Sequence, residues 1–122
     1  MRSFFYTQSM TVHEMKLKHT PFTMIQNGRK TVECRLYDEK RQKILLGDHI
    51  LFSLVDNPAE TLEVEVTGLL RYPTFEAMFH VNEPRRFGGE DEASLTESLL
   101  TYYSLEEQHR NGVIGIELSR ID

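Results

Sequence analysis

Alternation of apolar and polar positions predicts five strands in this chain. In "HEMKLKH" Met15 and Leu17 share one face and Lys16 and Lys18 the other, which predicts a first strand over about residues 13–18. "TVECRLY" sets Val32, Cys34 and Leu36 against Thr31, Glu33, Arg35 and Tyr37. "HILFSL" places Ile50, Phe52 and Leu54 together, and "TLEVEVTGLLRY" opposes Leu62, Val64 and Val66 to Glu63, Glu65 and Thr67. "VIGIELSRI" closes the chain with Ile114, Ile116 and Leu118 on one side.

Between the strands the period lengthens to that of helices. "TPFTMIQNG" predicts two helical turns, with Thr20 as N-cap, Pro21 at the first helical position and Gly28 as the stop. "DEKRQKILLGD" reads as a polar turn or one helical turn, and "TFEAMFHV" as a short helix. "NEPRRFGGEDEA" is too polar and too broken by Pro and Gly to be core. It suits a disordered loop, or a lid presenting Arg85, Arg86 and Phe87. Two S-x-x-E capping boxes, Ser94 with Glu97 and Ser104 with Glu107, predict two more helices, the second stopping at Gly112. The sum is an α+β domain: a small, mostly antiparallel barrel with short helices inserted after the first and fourth strands.

Composition narrows this to one domain of 122 residues, with 39% hydrophobic and 27% charged side chains. Residues 1–11 are expected to be an N-terminal extension and residues 12–122 the domain. No apolar run approaches the ~18 residues of a membrane span, and the N-terminus lacks the apolar stretch of a signal peptide. One cysteine, Cys34, excludes an internal disulfide and fits a reducing cytoplasm; on the apolar face of its strand it reads as core. No CxxC or HxxxH spacing suggests a zinc site, and no cofactor is expected. His80 and His109 read as helix-end residues suited to the dipole.

Charge changes the picture. The net charge is −5, yet residues 1–55 carry nine Lys or Arg against five Asp or Glu, and residues 56–122 carry five against fourteen. The first half is therefore a candidate anion-binding face. Its focus is the polar face of the second strand, where Thr31, Glu33 and Arg35 line a surface and Lys30 precedes them. Lys16 and Lys18 join if the first strand pairs with the second or closes the barrel beside it. Such a cleft of cations around one carboxylate suits phosphate plus an exocyclic amine, or a hydrolytic lysine–glutamate pair. An exposed ladder of ion pairs accounts for the same spacing. Tyr102 and Tyr103 end a helix with Leu95 and Leu99 inward; one suits the core and the other base stacking.

"GRKTVECR" resembles the G-x-K-x-x-E-x-R motif of the ASCH domain. The resemblance extends from about residue 12 to the end, through "GDHILF" and "YYSLEEQHRNGVIGIEL", toward small bacterial single-domain members. It implies a PUA-like β-barrel of about five to six strands and a role in binding RNA or a modified nucleotide. The ligand contacts would be Lys18, Gly28, Lys30, Thr31, Glu33, Arg35 and Tyr103, the partner single-stranded RNA or a modified nucleoside or nucleotide. The alternative is a hydrolase on the same cleft, like the members that deacetylate N4-acetylcytidine or cut single-stranded RNA. Lys30 and Glu33 would then be catalytic, although Glu33 stands where that amidohydrolase branch has threonine. Glu76, Glu83 and Glu90 are equal candidates for its catalytic glutamate.

Overall fold

The computed structural model describes residues 9–121; most of the expected extension lies outside the described residues. In chain order the elements are β1 (Val12–Leu17), α1 (His19–Gln26), β2 (Val32–Leu36), β3 (His49–Leu54), β4 (Thr61–Tyr72), α2 (Phe75–Val81), α3 (Glu92–Tyr102), α4 (Leu105–Asn111) and β5 (Val113–Arg120). Single 3-10 turns lie at Arg41–Lys43 and Pro84–Phe87. The domain is α+β, with helices following the first and fourth strands as expected. No helix among the described residues is long and apolar enough to cross a membrane.

The five strands form one sheet in the order β1-β3-β4-β5-β2, curled as a half-barrel. β1 pairs with β3 in parallel, Val12 opposite His49, and the other three pairings are antiparallel. β1 does not pair with β2: these are the two edges of the sheet, so the barrel has an open seam between them. The physical reason is the α1 excursion, which carries the chain from β1 to the far edge before β3 returns to β1's flank.

Two apolar clusters hold the sheet. Met15, Leu17, Phe22, Ile25, Ile50, Phe52, Val64, Val66, Ile114 and Ile116 fill the inside of the curl, against α1. Val32, Cys34, Leu36 and Val113 pack on the opposite face against Phe75, Met78, Phe79, Phe87 and Leu95. β5 is thus buried on both sides from Val113 to Ile116, where alternation had indicated one apolar face. At about 1.5–3 kcal/mol per large apolar side chain, each cluster contributes enough to matter to a domain of this size.

Three local expectations fail for identifiable reasons. α1 starts at His19 with Lys18 at the cap, and the Phe22 amide donates to the Lys18 carbonyl, so Thr20 is no cap. Pro21 is tolerated inside the first turn because those amides lack intrahelical partners anyway. α3 starts at Glu92, where the Asp91 carboxylate accepts from the Ser94 amide at 2.8 Å and pre-empts the Ser94 box. The Ser104–Glu107 box forms in full. The polar segment after α2 is neither lid nor disordered: Phe87 is 3% exposed, its ring edge-on to Phe79 at 4.9 Å, and Arg86 pairs with Glu117.

Candidate functional site

The site lies in the seam. After α1, Gly28 adopts φ +84, a left-handed turn that a Cβ would strain, and the Arg29 and Lys30 amides both donate to the Met24 carbonyl. This wrap aims Lys30 back across the end of α1. Its Nζ lies 3.2 Å from Glu33 Oε1 and donates to the Phe87 carbonyl at 3.3 Å. The next residue, Gly88, leaves room for that side chain; a Cβ there would lie 3.3 Å from Lys30 Cδ and 3.2 Å from Met24 Cε.

Glu33 was expected to line an exposed surface. It is 5% exposed, because its face of β2 turns into the curl beside Ile116 and the cations close over it. Arg35 Nε donates to Glu33 Oε2 at 2.7 Å, and Arg35 Nη2 donates across the seam to the Lys16 carbonyl of β1 at 2.9 Å. Burial pushes the Glu33 carboxyl up, but the charges and hydrogen bonds of Lys30 and Arg35 more than offset it. The carboxyl is held below the ordinary range and is ionised at neutral pH. Two cations on one carboxylate leave the cluster one positive charge, which Lys16 and Lys18 at the rim increase.

Above this charged floor is a cleft of about 440 Å³, within the usual range for small-molecule sites. Its walls are apolar: Pro21 and Met24 of α1, Phe87, and Leu95 and Leu99 of α3. Tyr103 lines it with its ring 5.5 Å from that of Phe75; burial, chiefly, pushes its phenol up. Tyr102 is exposed and accepts a 2.9 Å hydrogen bond from Lys18, whose ammonium lies 4.8 Å from the ring centroid. Cys34 borders the cleft, but burial pushes its thiol up to about 12, which leaves it unreactive.

Of the residues expected at the site, Lys18, Lys30, Glu33, Arg35 and Tyr103 come together here. Gly28 and Thr31 do not. They border a second depression of about 250 Å³ with Ser119 and Arg120, and Lys30 lines both. Glu76, Glu83 and Glu90 are exposed, and none lines the cleft. Sequence reasoning missed Met24, the Lys16 carbonyl and the role of α3 as a wall, and offered Phe87 only as part of a lid or a disordered loop. The four-residue spacing of Leu95 and Leu99 marked that face, but not what it covers.

The family model for the ASCH domain matches residues 15–121. The chain belongs to the ASCH domain family. Two solved structures resemble this ASCH domain over nearly its whole length. The crystal structure of hypothetical protein PH0355 is 30% identical with a TM-score of 0.82, covering 91% of this chain and 100% of that one. The solution NMR structure of protein PF0455 from Pyrococcus furiosus is 25% identical with a TM-score of 0.70, covering 92% and 99%. No curated protein matches the sequence. In this ASCH domain three side chains of the G-x-K-x-x-E-x-R stretch, Lys30, Glu33 and Arg35, meet at one point, while its glycine makes the turn that brings Lys30 there.

Proposed function

We propose that this ASCH domain binds single-stranded RNA or a modified nucleotide in the seam cleft. The observation that carries the reading is the Lys30–Glu33–Arg35 cluster at the floor of an apolar-walled cleft. Cations suit a phosphate, the ionised carboxylate accepts from a base amine, and the aliphatic and aromatic walls suit a base face. An acidic second half disfavours a long duplex and favours a small or single-stranded ligand.

Binding is a better reading than hydrolysis on two grounds. Lys30 Nζ is held between Glu33 at 3.2 Å and the Phe87 carbonyl at 3.3 Å, contacts that fix it in the floor of the cleft as a binding group. Among the described residues no second carboxylate lines the cleft to serve as proton carrier, since Glu76, Glu83 and Glu90 all lie elsewhere.

The test is a titration with a short single-stranded RNA from ~50 to ~200 mM salt, with products resolved by mass spectrometry. Affinity should fall with salt, by a log–log slope of about −0.7 for each phosphate contacted. Lys30→Ala and Arg35→Ala should each weaken binding roughly tenfold and flatten the slope. Affinity indifferent to salt and to both variants would overturn the proposal. Turnover of the RNA or of N4-acetylcytidine, lost in Lys30→Ala, would replace it with the hydrolase reading.

A further inference from the structure

The seam exposes main chain as well as side chains. On β2 the Tyr37 amide donates to the Gly112 carbonyl and the Thr31 carbonyl accepts from the Leu118 amide, each at 2.9 Å. In an antiparallel ladder these bonds recur at every second residue, so Glu33 and Arg35, opposite Ile116 and Ile114, also face β5. The N–H and C=O of Val32, Cys34 and Leu36 therefore point the other way, into the seam, where no strand among the described residues pairs with β2.

Of these three residues only Cys34 lines the cleft. It is 7% exposed, and its N–H and C=O lie on the side of β2 turned away from β5, where no strand among the described residues offers them a ladder partner. Buried main-chain groups are nearly always paired, so a donor and an acceptor on a cleft wall with no strand beside them point to a ligand. The opposite edge behaves differently. The β1 carbonyls of Glu14 and Lys16 are taken by Lys40 Nζ at 2.8 Å and Arg35 Nη2 at 2.9 Å. The seam is thus closed by cations on the β1 side and left open at Cys34.

We propose that the main-chain N–H and C=O of Cys34 are the base-reading groups of this cleft, a donor beside an acceptor that takes the Watson–Crick edge of one unpaired nucleobase. The inference rests on the nucleotide reading above and deepens it. A single flat group fits better than a peptide strand added to the edge, because the Arg35 side chain crosses the seam one residue on and interrupts any longer ladder. Each unpaired base offers an adjacent acceptor and donor on that edge, and the cleft walls hold its faces.

The experiment uses the isotope-labelled full chain. Without ligand, the Cys34 amide should exchange with solvent roughly tenfold or more faster than the ladder amides of Glu33 and Arg35; equal protection would overturn the proposal. Cytidine and uridine 5′-monophosphates are then titrated beside their edge-blocked counterparts, N4,N4-dimethylcytidine and N3-methyluridine monophosphates. The expected result is a Cys34 amide shift among the largest observed, with roughly tenfold weaker binding of the blocked pair. Nucleotides that shift Lys30, Arg35 and Tyr103 but leave Cys34 still, with blocked and free forms binding equally, overturn this inference and leave the proposed function standing. If neither a nucleotide nor RNA moves any cleft resonance, both fall. An extended peptide that shifts Val32, Cys34 and Leu36 together would identify the edge as a strand-addition site instead.

Discussion

Two carboxylates in this domain, Glu33 and Asp48, are each only 5% exposed, and they are satisfied in opposite ways. Asp48 accepts from the Thr11 amide at 3.1 Å, the Leu45 amide at 2.9 Å and His13 Nε2 at 2.8 Å. Two of its three partners are main chain, and they tie the entry of β1 to the loop before β3 where the parallel register begins. Glu33 is held by the side chains of Lys30 and Arg35, both of which line a cleft. A carboxylate wired to backbone specifies the fold; one wired to side-chain cations that line a cavity leaves those cations facing a ligand. The same degree of burial therefore serves two ends, and the identity of the donors distinguishes them.

The strongest way to break this comparison is to remove Glu33. Glu33→Ala strands two cations that are largely buried, and unfolding should become about 3 kcal/mol easier, the low end of the cost of breaking a buried pair because both cations border solvent. Replacing the whole cluster, Lys30→Met with Glu33→Leu and Arg35→Met, should leave stability within about 1 kcal/mol of wild type or above it, since no charge remains to be stranded. RNA binding should be lost in the triple variant. Urea unfolding beside an RNA titration checks both. A triple variant as unstable as Glu33→Ala would make the cluster a fold determinant like Asp48.

Asp48→Asn is the matched experiment on the other side. An amide retains one acceptor oxygen but turns an N–H₂ toward the Leu45 or Thr11 amide, leaving a donor against a donor. The expected loss is about 2 kcal/mol, with RNA affinity per folded molecule unchanged within about twofold. Affinity that falls with Asp48→Asn in step with Lys30→Ala would erase the distinction.

Acid sharpens it further. Burial pushes Asp48 up, while His13 and then the Leu45 and Thr11 amides more than offset it, so both carboxyls sit below their ordinary values. The unfolded values are about 4.3 for Glu and 3.9 for Asp. Lower folded values mean that each contributes stability fully above about pH 5, and that this contribution is lost as pH falls through the folded values. Urea midpoints followed from about pH 5 down to 2 should decline in the wild type and decline less in the triple cluster variant, which loses the Glu33 share and retains those of Asp48 and of Asp91, lowered by the Ser94 amide. Identical pH profiles would mean that Glu33 is no more stabilised as an anion in the folded chain than in the unfolded one.

The contrast also explains what the sequence could and could not convey. Strand positions follow from alternation, because side-chain direction is a local property, and β2, β3 and β4 lie close to where Val32–Leu36, Ile50–Leu54 and Leu62–Val66 alternate. The pairing of Glu33 with Arg35 was legible for the same reason, and Lys30 joined them through its place between the Gly28 turn and the strand. Their burial was not, since it depends on β1 pairing in parallel with β3 and leaving a seam beside β2, a long-range choice. Asp48 read only as the end of a polar turn, as its donors lie 3, 35 and 37 residues away. Phe87 was legible as a ring in a polar segment but not as a core residue, because its neighbours are polar, and the main-chain edge at Cys34 carries no residue-type signal at all.

The smallest expected effect lies at the rim. Lys18 and Tyr102 are both exposed, and the hydrogen bond between them joins the end of β1 to the end of α3 across the cleft mouth. Tyr102→Phe removes the hydroxyl and keeps the ring, so the cation–π contact survives. Stability should change by less than about 0.5 kcal/mol, because water replaces an exposed partner at little cost. If the ring alone serves as a rim surface for a base, RNA affinity should also stay within about twofold of wild type, whereas Tyr102→Ala should weaken it by more, since base–aromatic stacking is worth about 1–3 kcal/mol. Equal binding by the Phe and Ala variants would confine recognition to the floor of the cleft, around Glu33, and leave the Lys18–Tyr102 contact as surface decoration.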